Sequence, residues 1–201
     1  MKKHILALVI LSSLSTFAAD NNSSQKNMQL SQTGNGSKAS IAIGDGNLAN
    51  IQQLASGNAV TVNLKGDSNI LTAVQQAGTA NTLDSSQLGN ANMATITQTS
   101  GDGNSALNSQ IGNDNIATIT QSVSLSSAKT SQTGNRNEST IEQLDNGSNH
   151  YAESTQNGDN NSSKIVQEIA DNNTAIINQQ GFNNNASILQ NGGDNFATIN
   201  Q

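Results

Sequence analysis

The chain contains no cysteine, no proline and no tryptophan in its 201 residues. Without cysteine, neither a disulfide nor a thiolate metal site can hold the fold together, even in an oxidising compartment. Without proline, every backbone N–H is free to join a ladder. Aromatics are 2% of the residues, and Tyr151, Phe182 and Phe196 are too scattered to form a stacking platform for bases or sugars. Charged residues are 11%, with a formal net charge of -6 and no basic cluster, so no nucleic-acid partner is expected. Beyond residue 18 the one histidine is His150, and no strained nucleophile motif accompanies it; no enzyme activity and no cofactor are expected. Leu, Ile, Val and Phe make up only about a fifth of the chain, near the level associated with disorder. The placement of those residues argues otherwise.

The first stretch stands apart. Met1-Lys2-Lys3-His4 is followed by an apolar run over residues 5–14 and by small residues around Thr16-Phe17-Ala18-Ala19. This is the pattern of a secretory signal peptide over residues 1–18, with cleavage expected after Ala18. Removing Lys2 and Lys3 leaves six basic against fourteen acidic residues, a net charge of -8. No later apolar run is long enough to cross a bilayer, so no membrane insertion is expected after cleavage.

From residue 26 onward the chain repeats itself. In residues 92–121 the same order recurs: Asn92, Ala94, Ile96 and Gln98, then Asn104, Ala106, Asn108 and Gln110, then Asn115, Ala117, Ile119 and Gln121. With Asn as position zero, the constrained positions are +2, +4 and +6, all even. Strict alternation is the signature of a strand with one buried face, because successive side chains leave opposite faces of a pleated backbone. The zero position recurs sixteen times between Lys26 and Asn195, at steps of 10 to 13 residues, and the +6 position is Gln in fourteen cases, with Ile43 and Leu64 as exceptions. A merely Asn- and Gln-rich tract does not hold such register. The expected inward set includes Asn92, Ala94, Ile96, Gln98, Gln110, Asn115, Ala117, Ile119, Gln121, Gln132, Asn137, Ile141, Gln143, Gln179, Asn184, Ala186, Ile188 and Gln190.

Alternate strands differ. Every second one, from the fourth to the fourteenth, is followed at +8 by glycine, at Gly66, Gly89, Gly112, Gly134, Gly158 and Gly181, which are the expected turn positions. At +4 the other strands carry Ile96, Ile119, Ile141 and Ile165, whereas these carry Ser85, Asn108, Thr130 and Ser154. The repeating unit is therefore a strand pair, and one wall of the core is more polar than the other. The expectation is an all-β, two-sheet parallel β-solenoid of about eight strand-turn-strand rungs, 22–24 residues each, over residues 26–201, preceded by a short segment at 19–25. Gln and Asn suit its core because an amide in a column both donates and accepts between rungs.

The stretches from Gln87 to Gln98, from Gln110 to Gln121 and from Gln179 to Gln190 match the pattern Gln-x-Gly-x-x-Asn-x-Ala-x-x-x-Gln in full. In this the chain resembles the curlin family, the subunits of bacterial curli amyloid fibres. The resemblance implies export through the outer membrane by the curli secretion machinery, cross-β self-polymerisation outside the cell, association with another curli subunit, and a place in biofilm matrix and adhesion. The chain departs from the five-repeat pattern in its eight rungs, in His150 at an Asn slot and in the short segment at 19–25. Its Ala-x-Ile-x-Gln strands are similar to those of minor, nucleating subunits, but its last strand, residues 195–201, is a regular repeat, which favours the major, fibre-forming role. The repeat reaches Gln201 and begins near the end of the leader, so polymerisation through uncapped end rungs is expected. Two monomeric alternatives remain open. One is an ice-binding face built on Thr95, Thr97, Thr118 and Thr120, and the other is calcium binding by loop carboxylates such as Asp45, Asp102, Asp114, Asp159 and Asp194.

Overall fold

A computed structural model describes residues 6–11, 16–19, 27–144 and 147–201. The expected zero position at Lys26, residues 20–25 of the short segment, residues 145–146 of the longest loop, and residues 1–5 and 12–15 of the leader lie outside the described residues. In chain order the strands are β1 (Leu6–Leu11), β2 (Thr16–Ala19), β3 (Asn27–Gln32), β4 (Lys38–Ile43), β5 (Leu48–Gln53), β6 (Ala59–Lys65), β7 (Ile70–Gln75), β8 (Thr82–Leu88) and β9 (Met93–Gln98). They continue with β10 (Ser105–Ile111), β11 (Ile116–Gln121), β12 (Ser127–Thr133), β13 (Glu138–Gln143), β14 (Tyr151–Asp159), β15 (Ser162–Glu168), β16 (Thr174–Phe182), β17 (Asn185–Asn191) and β18 (Phe196–Asn200).

Odd-numbered strands form one nine-stranded sheet and even-numbered strands the other, both in sequence order and parallel throughout. The chain is an all-β, two-sheet parallel solenoid. Strands β3 to β18 supply eight strand pairs, which at the usual strand spacing stack to about 38 Å. Residues 6–11 and 16–19, within the expected leader, extend this stack, since β1 pairs with β3 and β2 with β4. Two strands of residues 1–18 thus add one more rung, an outcome that the expectation of a removable segment there does not anticipate. The physical basis is the unpaired edge of the β3–β4 rung, which any extended apolar segment can join.

Register follows the template. Ala117 lies on Ala94, Ile119 on Ile96 and Gln121 on Gln98; the next rung places Ile141 on Ile119 and Gln143 on Gln121. Inward and outward residues alternate in every strand from β4 to β14. Lys129, Glu138, Glu142 and Lys164 all face out and reach solvent. Outward Val166 is the exception, buried beneath its neighbours while Glu142 and Leu189 flank it on the ladder.

Between the sheets, the odd wall contributes Leu30, Ile51, Ala73, Ile96, Ile119, Ile141, Ile165 and Ile188. The even wall is apolar at its two ends, with Ile41 and Val62 at one and Ile177 at the other, and polar in the middle. There the buried residues bond to each other: Asn108 Nδ2 donates to Ser85 Oγ at 3.1 Å, and Thr130 Oγ1 donates to Asn108 Oδ1 at 2.8 Å. Ser154 and Ser163 share a 2.6 Å hydrogen bond across the two sheets. An unsatisfied buried polar group costs about 1–3 kcal/mol, so this wall is tolerated because its members satisfy one another.

Candidate functional site

The expected site residues do not converge on a pocket; they form columns that run the length of the solenoid. On the odd sheet, each Gln side chain donates to the next: Gln53 to Gln75 at 2.8 Å, Gln75 to Gln98 at 2.8 Å, Gln98 to Gln121 at 2.9 Å, Gln121 to Gln143 at 2.9 Å, Gln143 to Gln167 at 3.0 Å and Gln167 to Gln190 at 2.9 Å. Gln32 donates to Gln53 in the same way. The even sheet repeats this from Gln87 through Gln110, Gln132, Gln156 and Gln179. The second N–H of each amide crosses the core: Gln98 Nε2 donates to Thr82 O at 3.0 Å and Gln110 Nε2 to Met93 O at 3.0 Å. One side chain therefore ties rung to rung and sheet to sheet, using both donors of its amide.

Asn at position zero performs a different task. Asn92 Oδ1 accepts from the Asn115 backbone N–H at 3.1 Å and from Asn115 Nδ2 at 3.0 Å, while Asn92 Nδ2 donates to Gly112 O at 2.7 Å. Asn115, Asn137 and Asn161 repeat the bond, reaching Gly134 O, Gly158 O and Gly181 O. This explains the glycines. At Gly89 φ is 122°, and a Cβ there would overlap Gly112 O. The turn can stack at strand spacing only if its backbone carries no side chain. Ala94, Ala117 and Ala186, two residues on from these Asn positions, are buried and continue as a column of their own on the odd sheet.

A further column was not expected from the sequence. One residue past each turn glycine, Asn113 Oδ1 accepts from the Asn90 N–H at 3.0 Å, Asn135 Oδ1 from the Asn113 N–H at 3.1 Å, and Asp159 Oδ1 from the Asn135 N–H at 2.7 Å. These residues sit at +9, where the period of two has ended, so a search for alternation passes over them. The signal was present nonetheless, as Asn or Asp at Asp67, Asn90, Asn113, Asn135 and Asp159. Loop carboxylates on the other side also act on backbone, Asp102 accepting from the Thr79 N–H at 2.6 Å and Asp171 from the Ser148 N–H at 2.7 Å.

Two breaks in the columns leave orphaned atoms. Leu64 replaces Gln beneath Gln87, and Gln87 Oε1 is buried without a partner. His150 replaces Asn beneath Asn173. Its Nδ1 accepts only a long 3.4 Å bond from the Asn173 N–H, and both His150 Nε2 and Asn173 Nδ2 are buried and unpaired. Burial pushes the His150 imidazole below its ordinary value of 6.5, against the opposing field of Asp171. On the outer surface of the even sheet, Lys129 Nζ lies 2.7 Å from Glu153 Oε1, and Tyr151 Oη donates to Glu153 Oε2 at 2.6 Å. The Lys129 and Tyr151 bonds hold the Glu153 carboxyl below its ordinary range, and the bond to Glu153 pushes Tyr151 up to about 12.

Residues 170–201 match the family model of the curlin associated repeat. Over these residues the chain carries the curlin associated repeat. The matched residues comprise β16, β17 and β18, and the columns within them continue without change of register into β14 and β15. Gln179 of the matched part accepts from Gln156, and Gln190 accepts from Gln167, so the curlin-repeat columns run on into the remainder of the solenoid. Comparison with curated proteins gives no match.

Proposed function

We propose that this chain is a self-polymerising structural subunit of extracellular curli-like amyloid fibres, in the major, fibre-forming role, and that it is exported through the outer membrane after its leader is removed. The observation that carries the reading is the unbroken Gln column from Gln32 to Gln190, in which each amide donates forward to an identical amide. A rung of this kind is a template for the next, because its edge offers backbone N–H and C=O groups in line with Ile, Asn and Gln columns. The curlin repeat at residues 170–201 supports the same reading. The chemistry is one of structure and adhesion rather than turnover, and it requires no cofactor.

The test is time-resolved thioflavin fluorescence of the purified chain from Ala19 onward, alone and with pre-formed seed. The expected result is a lag that seed abolishes, ending in protease-resistant fibres with reflections near 4.8 and 10 Å. Fast growth without seed would assign the nucleating role instead. A protein that stays monomeric for days at high micromolar concentration would overturn the reading.

A further inference from the structure

The two outer faces of the solenoid differ in charge. Outward positions of the even sheet carry Lys38, Lys65, Asp84, Lys129 and Glu153. On the odd sheet, the outward residues of β5, β7, β9 and β11 include no charged side chain. They form three columns: Leu48, Ile70, Met93 and Ile116; Asn50, Thr72, Thr95 and Thr118; and Gln52, Val74, Thr97 and Thr120. The first column is 36%, 38%, 42% and 40% exposed, four large apolar side chains in consecutive register at the surface. The band ends at β13, where Glu138 continues that first column and Glu142 pairs with Lys164 at 3.3 Å. Charged side chains interrupt both outer faces elsewhere, and long apolar sheet faces are normally broken by charge in this way.

We propose that this band is a lateral docking face, and that its occupant is the same band of a second copy in a neighbouring fibre. The inference rests on the polymerisation reading above. Four strands at about 4.8 Å by five residues at about 3.3 Å give a patch of roughly 300–400 Å² per copy, so about 700 Å² for a pair. That is well short of the roughly 1,200 Å² of a stable interface, and isolated monomers are not expected to dimerise through it. In a fibre the patch recurs with every subunit, so two facing stretches of two subunits each reach about 1,400 Å². Pairing therefore follows polymerisation instead of competing with it. The branched Thr and Val columns give the surface regular ridges, into which the Leu, Ile and Met column of the facing band can mesh as sheets do when packed about 10 Å apart.

The test compares three forms of the mature chain by fibre width in electron microscopy and by elongation rate from seed. The variant Ile70→Lys with Ile116→Lys puts like charges on both facing bands; outward lysine is already accepted on this sheet at Lys164. The control, Leu88→Lys with Ile111→Lys, places the same change on the outward even sheet, where both residues are also exposed. The expected result is paired or bundled fibres for the unaltered chain and the control, and single-width fibres for the Ile70/Ile116 variant with elongation rate within about twofold. Should the lysine variant fail to polymerise, Ile70→Thr with Ile116→Thr keeps the strands β-branched and is expected to reduce bundling while still elongating. Single fibres from the unaltered chain, or equal bundling in all forms, would overturn this proposal and leave polymerisation standing. Binding of the band to ice by monomers whose fibres stay single would likewise reassign the face. No fibres at all would remove both.

Discussion

At the scale of the residue, the columns make inward and outward neighbours unequal. Gln98 donates to Gln121 and Thr82 O and accepts from Gln75, so Gln98→Val removes three bonds and strands at least one buried partner. Thr97 faces out one residue away. The expected outcome is a loss of about 1–3 kcal/mol for Gln98→Val and little change for Thr97→Val, read as guanidinium midpoints; equal losses would refute the column argument. His150 provides the converse case. Asn in its place can accept from the Asn173 N–H and Nδ2 as Asn115 does from Asn137, so His150→Asn is expected to stabilise the chain by about 1–3 kcal/mol. It also removes a titration. Because burial depresses the folded-state value of His150, the unfolded chain takes up the proton first as pH falls below 6.5. Stability present above that pH is lost as pH falls toward and through the folded value. The midpoint drop between pH 7.5 and pH 5 should therefore be smaller in His150→Asn, and an equal drop would show that the imidazole does not contribute.

At the scale of the element, the glycine arcs carry most of the conformational constraint. Gly112→Ala meets two obstacles, a φ of 120° and a Cβ that would overlap Gly134 O, and relief needs the arcs of both rungs to move apart. Loss of soluble, folded chain or of seeded elongation is expected, whereas alanine at exposed Thr133 should be tolerated. Two residues later in the same kind of arc, φ is 54° at Arg136 and 58° at Asn160. The left-handed region costs an ordinary L-residue about 1–2 kcal/mol, so Arg136→Gly should raise the midpoint unless its bond to Asn160 Oδ1 offsets the gain. These arcs also mark where the sequence ceased to be readable. Alternation exposed the strands, the pairing of sheets and the polar even wall, since Ser85, Asn108 and Thr130 all fall on an even count. It could not expose the +9 column, because a turn has no period of two. Nor could it show that β1 and β2 join the sheets, since a short apolar run fits a leader pattern and a strand alike.

At the scale of the whole molecule, a solenoid with only nearest-neighbour contacts should accept the removal of a complete rung and reject the removal of half of one. Deleting residues 93–115 joins Asn92 to Ile116 and returns β11 to the sheet of β7, placing Ile119 on Ala73 and Gln121 on Gln75. Deleting residues 93–104 instead sends β10 to the odd sheet and sets Asn108 against Ala73. The first deletion should give circular dichroism and seeded growth like the parent, and the second should not; similar behaviour of both would mean that the two walls are interchangeable. The breadth of the amide columns has a last consequence, which concerns accuracy. A strand arriving one residue out of place presents Thr where Gln is required and fails at its Asn, Ala, Ile and Gln positions together. If only two buried amides per strand are left unpaired, the penalty for a rung of two strands is about 4–12 kcal/mol, an error frequency of roughly one in a thousand at the low end and far lower at the high end. Each rung thereby proofreads the next, and a chain so poor in apolar residues copies its own register with a fidelity that oily side chains, which accept any apolar neighbour, do not provide.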